Sequence, residues 1–282
     1  MDILKHKHFL SLKDFSVSKE QFDLYHDESL DLLITYPQPQ GIELSRYYES
    51  EDYISHTDGK RSLFEKAYHF VKNSALTNKL NMINNLQNKK GALLDIGAGT
   101  GDFLVKAKTD GWQTTGIEPS EKAKSIAQQK GVNFVESTKD LDDHSFDVIT
   151  MWHVLEHVPN LEEQIQELKR IIKPTGTILI AVPNFNSFDA KHYGMHWAAF
   201  DVPRHLWHFS KKAIELLFQK ENLKLEKVLP MKWDAYYVSL LSEKYKNGKM
   251  NFLKAVYIGF RSNLKGNSTK EYSSHIYVLK NS

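Results

Sequence analysis

The chain has 282 residues, 41% hydrophobic and 26% charged, with 37 Lys and Arg against 35 Asp and Glu. At about 150 residues per domain this is one large domain or one with an appendage, too apolar for wholesale disorder and too near neutral to bind nucleic acid by global charge. Cysteine is absent, which excludes disulfides, thiolate nucleophiles, iron–sulfur clusters and Cys-based zinc sites. No run reaches the roughly 18 apolar residues of a membrane span, and the first residues lack the long apolar stretch of a signal peptide, so a cytoplasmic protein is expected.

Between Phe15 and Thr35, short alternations such as Phe22, Leu24 and Leu32, Ile34 predict small strands. The cluster from Tyr36 to Gly41 holds two prolines and a glycine and reads as a boundary. Leu63 to Leu86 has helical spacing. From residue 91 the pattern becomes regular. A strand over Ala92–Ile96 is followed by a helix over Asp102–Thr109 and a strand ending at Glu118. Pro119 and Ser120 open a helix that closes at Gly131. Strands are expected at Asn133–Val135, Phe146–Met151 and Thr177–Val182, with a helix over Leu161–Ile172 between the last two. Ser210 caps a helix running to Gln219, and Leu223–Val228 and Ser274–Leu279 read as the final strands. Strands alternating with helices predict a doubly wound α/β sheet.

The strongest local signal is Asp95-Ile96-Gly97-Ala98-Gly99-Thr100-Gly101-Asp102, a strand running through a glycine loop into a helix. Glycine at alternate positions lets a ligand touch backbone. A P-loop requires Gly-Lys-Ser/Thr, and Asp102 follows Gly101 here. A dinucleotide fingerprint requires its third glycine one residue later, and Asp102 would repel a pyrophosphate. S-adenosylmethionine (SAM) has no phosphate and carries an ammonium and a sulfonium, which suits the acid Asp95. Glu118, at the end of the second strand, can accept both ribose hydroxyls. The plainer alternative is a glycine-rich turn with incidental acids.

This loop, with Gly-Ile-Glu-Pro-Ser (116–120), Ser-Phe-Asp-Val-Ile-Thr (145–150), His-Val-Leu-Glu-His-Val (153–158) and Leu-Lys-Arg-Ile-Ile-Lys-Pro-Thr-Gly (168–176), resembles class I SAM-dependent methyltransferases. The likeness is to the bacterial small-molecule type, including ubiquinone-biosynthesis O-methyltransferases, and covers residues 88–230. It implies a Rossmann-like seven-stranded sheet in the order 3-2-1-4-5-7-6 with strand 7 antiparallel. It also implies a cofactor pocket lined by Met151, Trp152 and His153, with S-adenosyl-L-homocysteine as product. The acid that such proteins often place after strand three is missing from Glu136-Ser-Thr-Lys-Asp140, which leaves the adenine contact to Ser137, Thr138 or backbone.

The front of the chain resembles members of that family that begin with a four-cysteine zinc ribbon. Asp27 and Leu30 stand where the second cysteine pair would be, and His26 with Asp27 cannot complete four ligands. Residues 1–60 are therefore expected to form a small β/helical cap without metal, and residues 61–282 the methyltransferase domain, with inserts at 184–209 and 231–268. His6 and His8 belong to a solvated N-terminus or a partial metal site. Tyr53 and His56 either close over the cofactor or pack on the leading helix.

Residues 184–209 hold seven aromatics and four of the 13 histidines. A long insert at the ligand edge of a sheet suits a lid that walls off water around a small-molecule acceptor. His192/His196 and His205/His208 have metal-like spacing, although Gly194 and Pro203 argue against one continuous helix. Asp201, Arg204 and His205 offer an acid, an anion holder and a base, or else the first two only pin the loop. His153 and His157, four apart, could share one helix face. The expected chemistry is in-line displacement at the sulfonium methyl, with His205 as general base for a hydroxyl acceptor. A non-catalytic SAM-binding module and an RNA methyltransferase are the rivals, and no nucleic-acid partner is expected. The basic tail, nine Lys/Arg against three Asp/Glu over 231–282, carries an amphipathic helix at 249–265 that packs on its own domain or lies on an anionic membrane.

Overall fold

The computed structural model describes residues 3–48, 63–87 and 89–282; Tyr53 and His56 lie outside them. Two sheets organise the chain. The larger has six strands in the order β5-β4-β6-β7-β10-β9, where β4 is Ala92–Ile96, β5 Gln113–Ile117, β6 Phe146–Trp152, β7 Ile172–Pro183, β9 Leu223–Pro230 and β10 Ser274–Asn281. The first four are mutually parallel, and β10 runs antiparallel to both β7 and β9. This is the expected order with one correction. The expected strand at Asn133–Val135 is reduced to a single bridge between Phe134 and Gly116, so the sheet has six strands rather than seven. The Phe134 ring covers Gly116, where a Cβ would meet Phe134 Cε1 at 2.7 Å.

Helices α2 (Leu63–Leu86), α3 (Asp102–Thr109), α4 (Glu121–Gln129), α5 (Leu161–Ile171) and α7 (Lys211–Gln219) flank this sheet, after a short α1 (Ile42–Ser45). Their starts follow local chemistry: the Ser120 and Ser210 side chains accept from the third backbone N–H of α4 and α7. Apolar residues on one stripe of α5, Leu161, Ile165, Leu168 and Ile171, are buried against the sheet with Ile149 and Ile178. Each such side chain contributes about 1.5–3 kcal/mol when fully buried.

The smaller sheet has the order β1-β2-β3-β8. β1 (Lys7–Lys13), β2 (Gln21–Asp27) and β3 (Leu32–Tyr36) form an antiparallel meander. Its fourth strand, β8 (Trp207–Phe209), comes from the aromatic insert and pairs antiparallel with β3. Both turns of the meander close on an aspartate. Asp14 accepts from the backbone N–H of Ser16, Val17 and Ser18, and Asp27 from those of Ser29 and Leu30. The rest of the insert forms α6 (Phe188–Tyr193) and two short 3-10 turns; α8 (Asp234–Asn247) and α9 (Phe252–Thr269) form a helical pair before β10. No described helix is long and apolar enough to cross a membrane.

Candidate active site

The groove begins where β4 ends. Gly97, Gly99 and Gly101 all have positive φ, at 73°, 54° and 74°, a region that costs other residues about 1–2 kcal/mol. A Cβ on Gly97 would strike Val154 Cγ2 at 2.3 Å and one on Gly101 would strike Ala127 Cβ at 2.7 Å, whereas one on Gly99 meets nothing within 4 Å. Two glycines thus let the loop pack closely, and the third faces open space. Gly97 and Ala98 anchor the loop by donating to the Ile117 carbonyl at 2.8 and 3.1 Å. Glu118 sits beside the loop, its Oε2 accepting from Gly99 N–H at 2.8 Å and its Oε1 from Ser120 N–H at 2.9 Å.

Under the loop, Asp95 is 2% exposed and accepts from Thr150 Oγ1 at 2.6 Å. Burial pushes its carboxyl up to about 7, against the pull of Thr150 and of the Lys79 charge. Lys79, from α2, lies with its ammonium 4.2 Å from the centre of the Trp152 ring, and burial holds its pKa down. The buried Trp152 indole N–H has no partner among the described residues. An open-faced backbone cradle, two strand-end carboxylates and an orphaned donor fit a ligand with cationic and hydroxyl groups, as SAM has. Met151 is fully buried in the main core. Ser137 starts a 3-10 turn, its side chain accepting from Lys139 N–H at 3.1 Å.

Beyond Trp152 the chain makes an acid–imidazole cluster. His153 has φ 57°, and its ring lies between two carboxylates, Nδ1 at 3.3 Å from Glu156 and Nε2 at 3.0 Å from Asp234. Burial alone would push this imidazole down, but pairing with Asp234 and Glu156 raises it to about 10. Glu156 is 1% exposed, and apart from His153 neither carboxylate oxygen has a polar partner among the described residues. His157 Nδ1 lies 3.0 Å from the Arg204 carbonyl, and His205 Nδ1 lies 2.9 Å from the Ala199 carbonyl. A carbonyl can only accept, so the His205 ring carries a proton on Nδ1 and, when neutral, leaves Nε2 bare, whereas His157 Nδ1 also lies 3.0 Å from the Tyr48 hydroxyl. Burial and the neighbouring His205 push His157 down to about 4. The two rings meet edge to face with centroids 4.6 Å apart. One ligand atom from each of Glu156, His157 and His205 lies within 4.8 Å of the others, the group among the described residues spaced to hold a cation. The same three groups can also pass a proton.

Several expectations need correction. His153 and His157 share no helix face, because His153 is itself left-handed and His157 ends a separate 3-10 turn (Leu155–His157). The Asp201 carboxylate does not orient His205. It is held by Arg204, whose Nε and Nη2 donate to it at 2.9 and 2.6 Å. Arg204, 5% exposed, also donates to Asp14 at 3.2 Å and to the Tyr47 carbonyl at 2.9 Å. Asp201 and Arg204 therefore pin the insert to the N-terminal sheet, and only His205 of that trio reaches the cluster. His208 is likewise held, with Nε2 3.0 Å from Thr35 Oγ1. His192 and His196 lie against aromatic rings, Tyr193 and Phe15 respectively. Lys79, Glu156 and Asp234 went unnoticed in the sequence. Lys79 and Asp234 lie far along the chain from the motifs, and Glu156 was passed over between two histidines.

A family model described as "Methyltransferase domain" matches residues 67–228. Among curated proteins, the ubiquinone biosynthesis O-methyltransferase of Vibrio cholerae serotype O1 is 30% identical over 131 residues, covering 43% of this chain and 53% of that protein. The protein of the same name from Shewanella halifaxensis is 35% identical over 104 residues, 33% of this chain and 44% of its own length. The chain thus spans about half the length of the curated relatives it matches. Among solved structures, geranyl diphosphate C-methyltransferase from Streptomyces coelicolor A3(2) superposes with a TM-score of 0.54 at 13% identity, over 80% of this chain and 88% of that one. A SAM-dependent methyltransferase from Thermotoga maritima gives 0.51 at 20% identity, over 77% and 95%. Likeness to solved structures at these identities speaks for the fold alone, whereas the family match spans more than half of the sequence: the chain belongs to the methyltransferase-domain family.

Proposed function

We propose that the chain is a SAM-dependent methyltransferase that methylates a hydroxyl of a small molecule. The observation that carries this reading is the open glycine cradle between Asp95 and Glu118, with a buried acid–imidazole cluster directly after the next strand. Bound SAM supplies an electrophilic methyl group on a sulfonium. Glu118, beside the loop, would accept from the ribose hydroxyls, and the Lys79 ammonium would suit the carboxylate of the amino-acid end. An acceptor hydroxyl held beside His205 would give its proton to the bare Nε2 of that ring as its oxygen takes the methyl group. The Ala199 carbonyl fixes that tautomer, and the buried Glu156 carboxylate stabilises the resulting imidazolium. Relatives named as O-methyltransferases support oxygen as the acceptor atom. We take residues 1–60 as a ribbon-derived cap and 61–282 as the catalytic domain.

Calorimetry on the purified chain tests the cofactor. SAM should bind, and Glu118→Ala should weaken binding by about 1.5–3 kcal/mol, roughly ten- to hundredfold, because two hydroxyls lose a charged acceptor. A protein that ignores SAM and binds NAD refutes the reading.

A further inference from the structure

The helical pair before the last strand is built inside out. On α9 the residues that pack inward are small: Ala255, Gly259, Ser262 and Gly266 are buried, with Ile258 the one larger member. The close approach is real, since a Cβ on Gly259 would meet Tyr236 Cδ1 at 2.7 Å and one on Gly266 would meet Tyr272 Cδ1 at 2.6 Å. The large apolar residues face outward. Phe252, Leu253, Val256, Tyr257, Phe260 and Leu264 are each more than half exposed, with Leu253 at 88%. They follow helical spacing and form a single row. Trp233 and Tyr237, at the start of α8, are exposed to the same degree. Scattered exposed apolar residues are ordinary, but a continuous row is not.

We propose that this face docks the protein on a bilayer containing anionic lipid. Charge selects the occupant. Over residues 232–265 the chain carries seven Lys/Arg and two acids, Asp234 and Glu243. Both acids are already engaged, Asp234 with His153 at 3.0 Å and the fully buried Glu243 with Lys254 at 3.0 Å. The exposed charges beside the row, including Lys232, Lys249, Arg261 and Lys265, are thus of one sign. A second copy docked on this face would set cation against cation. A nucleic acid would answer the charge but not Leu253, Val256 and Leu264. Anionic headgroups answer the charge while the acyl boundary takes the apolar row. Trp233 adjoins Asp234, which pairs with His153, so a docked molecule holds its site at the lipid surface. That last consequence rests on the methyltransferase reading; the docking does not.

The experiment is co-sedimentation of the full chain with phosphatidylcholine vesicles, with and without phosphatidylglycerol. Binding should require phosphatidylglycerol and fall at least about fivefold between about 50 and 500 mM salt. Leu253→Glu combined with Val256→Glu should lower it about tenfold or more. Both positions are exposed, so circular dichroism and SAM affinity should not change. Three results would overturn the proposal: no pelleting with either vesicle, pelleting indifferent to the double substitution, or a dimer in sedimentation equilibrium that the substitution dissociates. Retention of RNA in place of vesicles would also overturn it.

Discussion

Arg204→Met separates a pinning role from a catalytic one. The guanidinium spans three elements, donating to Asp201 in its own turn, to Asp14 between β1 and β2, and to the Tyr47 carbonyl. Asp14 is 1% exposed and the Asp201 side chain 26%, so removing the cation leaves a buried and a partly buried carboxylate beside an apolar side chain. Breaking a buried pair from one side costs about 3–5 kcal/mol, roughly a fifth or more of the about 5–15 kcal/mol that holds a domain folded. Asp14 keeps its backbone donors, which softens the loss; Asp201 loses the partner that holds it, and this sets the expected value near the middle of the range. Urea unfolding followed by tryptophan fluorescence measures it. The deficit should depend on pH with a definite sign. Burial works against both carboxyls, yet Arg204 and, for Asp14, its backbone donors hold them below the usual carboxylate value. Their pairing therefore stabilises the wild type fully above about pH 4 and is lost as pH falls through the folded values. The gap between variant and wild type should narrow on acidification. A variant of wild-type stability that loses turnover would refute the argument and return Arg204 to the chemistry.

His205→Ala should lower kcat by about 10²–10⁴ while SAM affinity stays put; full kcat would leave positioning alone to explain catalysis. Asp234→Asn should cost about 1 kcal/mol near pH 6, since it strips a charged partner from a His153 side chain that is 36% exposed and so partly screened by solvent. Because the His153 pKa is raised, to about 10, its pairing is fully present below about pH 6.5 and lost as pH rises through the folded value, so denaturation curves of variant and wild type should converge in alkali.

What was legible in the sequence was what local chemistry writes. Ser120 and Ser210 announce helix starts, and the glycine loop announces a ligand-facing strand end. The sheet order came with the family resemblance, and its third strand is reduced to one bridge between Gly116 and Phe134. The pairing of Leu32–Ile34 with Trp207–Phe209 could not be read, since no local pattern encodes partners that far apart. The amphipathic row of α9 was visible, but its direction was not. Hydrophobicity alone turns Phe260 inward, and only the close packing of Gly259 on Tyr236 turns it out. Within the candidate site, the distance from Asp201 to His205 along the chain suggested a dyad; the nearer Arg204 takes the carboxylate.

The family match begins at residue 67, yet β8 lies inside it while its partner β3 lies outside. Cut out alone, the matched segment would present Trp207–Phe209 as a bare apolar edge, the kind of template that recruits other chains into sheets. Thr35 would be gone as well, with its hydroxyl on the His205 carbonyl at 2.7 Å and its amide on that of Leu206 at 3.0 Å. The N-terminal meander is thus an edge guard for the strand that directly follows the proposed base, and the smallest autonomous unit of this protein is larger than the part that identifies it.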